Sequence, residues 1–515
     1  MTKPVSFGEI NLDVRVGRER TAHVLDPKTP FRIAVLGDFS GRASRGVCET
    51  GPALASRRSV VIDRDNFDEV LAKFNVQLRL PVAGDHGPRL DLNFHELDDF
   101  HPDRIFERTE VFRKLKETRA KLADPQTFAA AVRSTQAARA QRPSGPESIS
   151  APAELFRTSL LDQVAGATES RAAGATPSRI PDEWGEFLQQ LVAPHLIPSP
   201  DPRQPEILAQ VDQATSGLMQ ALMHHADFQA LEAAWRAVFF LVRRVETDSQ
   251  LKLYLLDVSK AELAADLASA EDLSRTGTYK LLIEKTAGSP GAESWALLVG
   301  NYTFGPAREE AELLGRLVKI ANAAGAPFLS AASAPLLGCA SFAETPNHRE
   351  WTGPKDAVSA QSWQALRKLQ EASYLGLALP RFLLRLPYGK KTDSTERFGF
   401  EEMSEAPDHE EYLWGNPAMA CGVLLAQAFS VNGWDLWAGV STEIDSLPLH
   451  IYKTEGTSRA KPCAEALFTE EAVEAIVERG FMPLVSQKER DTIRLVRFQS
   501  FADPPAVLSG RWRSP

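Results

Sequence analysis

Leu251-Lys252-Leu253-Tyr254-Leu255-Leu256-Asp257-Val258 reads as a strand, and the residues directly after it, 260–268, read as a helix. The pattern then repeats. Residues 295–299 form a second apolar strand and 309–324 a second helix, with strand-like runs at 328–332, 374–379 and 434–438. Alternating β and α segments of this kind predict an α/β (α+β) class, with mixed sheets packed with helices. Just upstream, Phe228, Leu231, Trp235, Val238, Phe239 and Val242 fall at helical spacing, with Asp227 placed to cap the helix start.

The N-terminal region carries its own elements. Ile10, Leu12, Val14 and Val16 alternate with Asn11, Asp13 and Arg15, the period of a half-buried strand. Residues 31–36 (Phe-Arg-Ile-Ala-Val-Leu) suit a more buried strand, broken by the turn Gly37-Asp38-Phe39-Ser40-Gly41-Arg42. Residues 76–80 and 90–94 alternate again, and a helix is predicted from His101-Pro102. Its apolar positions Ile105, Phe112, Leu115 and Leu122 are spaced 7, 3 and 7, a narrow stripe that calls for a partner helix and marks a seam between two halves of the chain.

Between these regions, residues 134–150 are rich in Ala, Arg, Gln, Pro, Ser and Gly and read as a linker. A short apolar-patterned helix at 155–165 and a second loose stretch at 172–179 follow, suggesting a tethered docking arm. The expected organisation is therefore a first domain at 1–133, a linker with docking helix at 134–182, a second domain at 183–499 and a Pro-rich tail at 500–515.

Bulk properties fit a soluble, globular, cytoplasmic protein. A prior of ~100–200 residues per domain gives roughly three or four folding units for 515 residues. A net charge of −10 argues against a nucleic-acid groove or an anionic membrane surface as partner. No stretch approaches the ~18 apolar residues that would span a bilayer, and no apolar signal segment follows the N-terminus. Cys48, Cys339, Cys421 and Cys463 are too scattered for a zinc knuckle or redox pair.

Chemistry-bearing patterns are wanting, so no catalytic, cofactor-binding or metal-ligating residue is assigned and a non-enzymatic protein is expected. The 37–41 turn lacks phosphate-loop spacing and its lysine. His224 and His225 are adjacent, so on a helix they point about 100° apart, poorly placed for one ion. His95, Glu96, Asp98 and Asp99 are explained by the dipole of the helix they precede. Asp408-His409-Glu410-Glu411 reads as a solvated charged loop.

Several longer stretches carry a resemblance. Residues 30–41, 62–71 and 97–102 are similar, in order, to the small subunit of the type VI secretion contractile sheath. Residues 224–236, 326–328, 379–389 (Leu-Pro-Arg-Phe-Leu-Leu-Arg-Leu-Pro-Tyr-Gly), 412–417 and 480–485 resemble the large subunit. The resemblance implies a mechanical protein, a small and a large subunit joined in one polypeptide. It implies sheath or baseplate partners, self-association, and an AAA+ unfoldase that grips a short helix, which falls here on Leu160, Leu161 and Val164. It assigns Ile10, Leu12, Val14 and Val16 to strand exchange between protomers. The family's large subunit continues well past the motif at 480–485, whereas this sequence runs only about thirty residues beyond Val485, so the inner domain that exchanges strands is expected to be missing. Two readings follow: an accessory that docks on or caps the sheath or baseplate, or a self-assembling protomer of a divergent system. A ligand-binding or enzymatic protein on a borrowed fold is the third.

Overall fold

The computed structural model describes residues 5–11, 29–81, 89–128, 130, 201–287, 294–404, 407–437, 441–454 and 456–512. Nine strands form the main sheet: β1 (Phe31–Gly37), β2 (Val60–Ile62), β3 (Leu251–Asp257), β4 (Leu297–Phe304), β5 (Phe328–Ala332), β6 (Leu375–Leu379), β7 (Glu443–Ile444), β8 (Met482–Ser486) and β9 (Ile493–Leu495). Their order is β7-β9-β8-β6-β5-β4-β1-β3-β2. The block from β8 to β3 is parallel, while β2 and the β9-β7 pair run antiparallel at the two edges.

The helices used below are α1 (Pro102–Arg108), α2 (Glu110–Ala123), α3 (Gln204–Met223), α4 (Ala226–Arg244), α5 (Lys260–Ala268), α6 (Arg308–Ala324) and α7 (Pro417–Asn432). They cover both faces of the sheet. Phe31, Ile33 and Val35 of β1 point into one core with α4 and α7, and Ala34 and Leu36 point into the other with α5 and α6. A strand covered on both sides has no polar face to show, which is why β1 is a near-continuous apolar run. α7 is buried along most of its length and correspondingly apolar all round. Each fully buried Phe or Leu here contributes about 2 kcal/mol relative to exposure.

The predicted strands at 251–258, 295–299, 328–332 and 374–379 become β3, β4, β5 and β6, and residues 260–268 form α5. Residues 434–437 are not a strand: they are turn, with Trp434 packed at a tilt on Phe31 and edge-on to Phe429, its indole N–H donated to the Thr29 carbonyl. Asp227 is not the cap of α4. His225 occupies that position, its Nδ1 accepting the Asp227 backbone N–H at 3.2 Å. The predicted helix from residue 101 is two helices, because Thr109 is extended (φ −91°, ψ 132°) between α1 and α2. α3 was not foreseen. The last described residues are laid against the protein, with Phe501, Leu508 and Trp512 buried. No helix among the described residues is long and apolar enough to cross a membrane.

Candidate functional site

The densest interactions lie between the N-terminal and C-terminal regions rather than in a catalytic pocket. β1 enters the sheet between β3 and β4, with Phe31 opposite Leu251 and Ile33 opposite Leu297. At its end the Asp257 carboxylate accepts the backbone N–H of Phe39 (2.9 Å) and Ser40 (3.1 Å) and the Ser40 hydroxyl (2.7 Å). Burial raises the Asp257 pKa, and these donors counter part of that rise. Gly41 needs its glycine: φ is +74°, and a Cβ would lie 2.1 Å from the Gln77 carbonyl oxygen. Trp235 of α4 donates its indole N–H to the Phe39 carbonyl (2.8 Å) and receives Phe39, Phe67 and Phe74 edge-on.

A second joint is charged. The Glu262 carboxylate of α5 is fully buried and is held by Arg42 and Arg57 of the N-terminal region. Burial pushes its pKa up, but Arg57 and the backbone N–H groups of Ser259 and Glu49 outweigh this and bring it to about 2.

The stripe residues divide between two clusters. Ile105 and Phe112 are buried in the main core and Leu115 packs half-buried at its edge. Leu122 instead joins Phe128 with Ile207 and Val211 of α3. α2 lies along α3, tied by Arg119–Asp212 and by the Gln204 amide, which donates to the Leu122 carbonyl at 2.7 Å. α1 meets the segment after β6, where Phe106 stacks on Phe398 at 4.6 Å.

Of the four strand-exchange candidates, Ile10 is described and is half-buried against the α5–α6 core; Leu12, Val14 and Val16 lie outside the described residues. So do Leu160, Leu161 and Val164. Residues 5–11 are pinned onto their own chain. The Glu9 N–H donates to the Glu271 carbonyl (2.8 Å) and the Leu273 N–H to the Glu9 carbonyl (2.7 Å). Lys319 donates to the Gly8 carbonyl, and Phe7 covers Gly315, where a Cβ would lie 2.0 Å from the ring.

The 379–389 stretch is held by a buried network that motif reading did not reveal. Arg385 bridges Glu232 (2.8 Å) and Glu402 (2.7 Å), and Arg236 joins Glu232 to the Tyr388 hydroxyl. Burial works against the Glu232 charge, yet the two arginines hold its pKa below the ordinary value. His409, Glu410 and Glu465 come close enough to share an ion. Arg381 already pairs with both carboxylates, and Lys461 lies 2.9 Å from His409 Nδ1, so an added cation would have to displace them. His409 is thereby half-buried and bonded rather than solvated.

Two family models match separate parts of the chain. Residues 205–502 match VipB, described as the EvpB tail sheath N-terminal domain, and residues 9–139 match VipA of type VI secretion systems. Similar curated proteins come from Pseudomonas aeruginosa PAO1. The type VI secretion system sheath protein TssC1 is 35% identical over 356 residues, 68% of this chain and 71% of that protein. The sheath protein TssB1 is 33% identical over 103 residues, 19% of this chain and 58% of that protein.

Proposed function

This chain belongs to the type VI secretion sheath family, joining a TssB-like and a TssC-like region in one polypeptide, and from that premise we propose that it docks on the sheath or baseplate and caps or modifies it. The role is mechanical and cytoplasmic. With β1 inside the sheet of the second region, small and large parts are delivered as one unit at fixed stoichiometry.

The observation that carries the capping reading is the pairing of Glu9 with Glu271 and Leu273 of the same chain. A segment held by its own chain offers a neighbour less to pair with. A lattice of head-to-tail contacts propagates only when both faces are free. Leu160, Leu161 and Val164 remain the proposed grip for an AAA+ unfoldase, supported by the family resemblance alone.

Electron microscopy of the protein alone, and mixed with ordinary sheath subunits, tests the reading. Density at sheath ends in the mixture, with no tubes from the protein alone, is the expected outcome. Tubes from the protein alone would make it a self-assembling protomer instead. Neither tubes nor sheath binding would overturn both.

A further inference from the structure

At the carboxyl ends of β1, β3 and β4, between α4 and α6, lies a cleft of about 650 Å³. Leu231, Ala234 and Leu313 give it an apolar lining, and Asp38, Asp227, Glu309 and Glu310 supply carboxylates. Lys260, the one cation among its described lining residues, is taken by Glu310 and the Thr303 carbonyl. Asp38 is turned to the backbone N–H groups of Arg42 and Ala43. Asp227 and Glu309 are exposed and meet no Lys or Arg among the described residues. An apolar cleft with an excess of carboxylates selects an apolar side chain flanked by cations.

The same chain displays such a group. The Ile451–Thr454 and Thr457–Ala460 strands form a two-stranded ribbon that, among the described residues, is hydrogen-bonded to no third strand. A ribbon of this size is marginal in water without a surface to lie on. Ile451 is 62% exposed and lies on one face with Lys453, while Arg459 is exposed on the other. Neither Lys453 nor Arg459 has an ion-pair partner among the described residues.

We propose that this hairpin seats in the cleft of a second copy of the chain, Ile451 entering between α4 and α6 while Lys453, on the same face of the ribbon, meets Asp227 and Glu309. The contact is independent of sheath docking. If its geometry closes, it yields a dimer or ring; if not, an open chain.

The test uses the full chain in sedimentation velocity over a range of concentrations and salt. The wild type is expected to self-associate, less strongly as salt rises. Lys453→Glu, and separately Asp227→Lys with Glu309→Lys, should each weaken association at least about tenfold while a cooperative melting transition is retained. Mixing the hairpin variant with the cleft variant should restore pairing, because one of each keeps an intact half. A monomeric wild type, equal association in both variants, or no recovery on mixing would overturn the proposal. So would a hairpin variant that loses sheath binding while the wild type stays monomeric, which would make a sheath subunit the occupant. Sheath binding that survives in a non-associating variant separates this contact from the docking function.

Discussion

Arg57 Nη1 donates to Glu262 Oε2 at 2.9 Å, across 205 residues of sequence. The same carboxylate receives Arg42 Nε at 3.0 Å and the Glu49 backbone N–H at 2.9 Å, so one buried acid gathers three groups of the N-terminal region onto α5. A buried carboxylate is tolerated because it is paired and hydrogen-bonded, and removing its charge strands the arginines instead. Together with β1 in the middle of the sheet, this joint packs the two regions against each other.

The joint sets an acid response. The Glu262 pKa falls from 4.5 in its ordinary state to about 2 in the fold. Its contribution is therefore complete above about pH 4.5 and is lost as pH falls toward about 2. Asp257 is shifted the other way by burial and offsets part of that loss. Glu262→Gln should cost about 3 kcal/mol at neutral pH and flatten the acid limb of melting temperature against pH. An acid limb as steep in the variant as in the wild type would contradict the assignment.

Phe112 is fully buried, its ring centroid 5.9 Å from that of Phe106. Phe112→Asp should destabilise the fold by about 4 kcal/mol, from lost burial and a carboxylate without a partner. Urea denaturation is the measurement, and wild-type stability would remove Phe112 from the seam between the regions.

What the sequence disclosed follows from how local each signal is. β1 and β3 to β6 were legible because strands covered on both faces must be apolar throughout. α3 was also written in the sequence: Ile207, Val211, Ala214, Met219 and Leu222 are buried at spacings of 3 to 5, a period that was there to be read. The break at Thr109 was not, since the stripe runs on through it. Trp434 misled because an aromatic-rich run serves a turn packed against other rings as well as a strand. The Glu232–Arg385–Glu402 network joins residues up to 170 positions apart, and the Gly315 contact depends on Phe7 arriving from 308 positions away; no local pattern encodes either.

The Trp235 indole bond to the Phe39 carbonyl can be removed while much of the aromatic packing stays. Trp235→Phe leaves that buried carbonyl unsatisfied and should cost at least about 1–3 kcal/mol. Thermal melting checks the loss; an unchanged melting temperature would mean that water or a shifted neighbour satisfies the carbonyl.

The N-terminal anchor can be tested without touching the core strands. Gly315 is buried under Phe7, and a side chain at that position occupies the space the ring now fills. Gly8 supports the same contact from the other side: its φ is +65°, and a Cβ there would lie 3.0 Å from both the Glu271 carbonyl oxygen and the Leu273 side chain. Gly315→Leu should therefore release residues 5–11 from α6 and from Glu271–Leu273, and Phe7→Ala should loosen them less. Hydrogen exchange at Glu9 and Leu273, whose N–H groups make the two bridging bonds, reads this directly. Both amides should exchange faster in Gly315→Leu while those of β1 keep their protection. If release makes the protein form tubes or extend sheaths that the wild type does not, the cis anchor restrains assembly; if exchange at Glu9 is unchanged, the segment is not held by this contact.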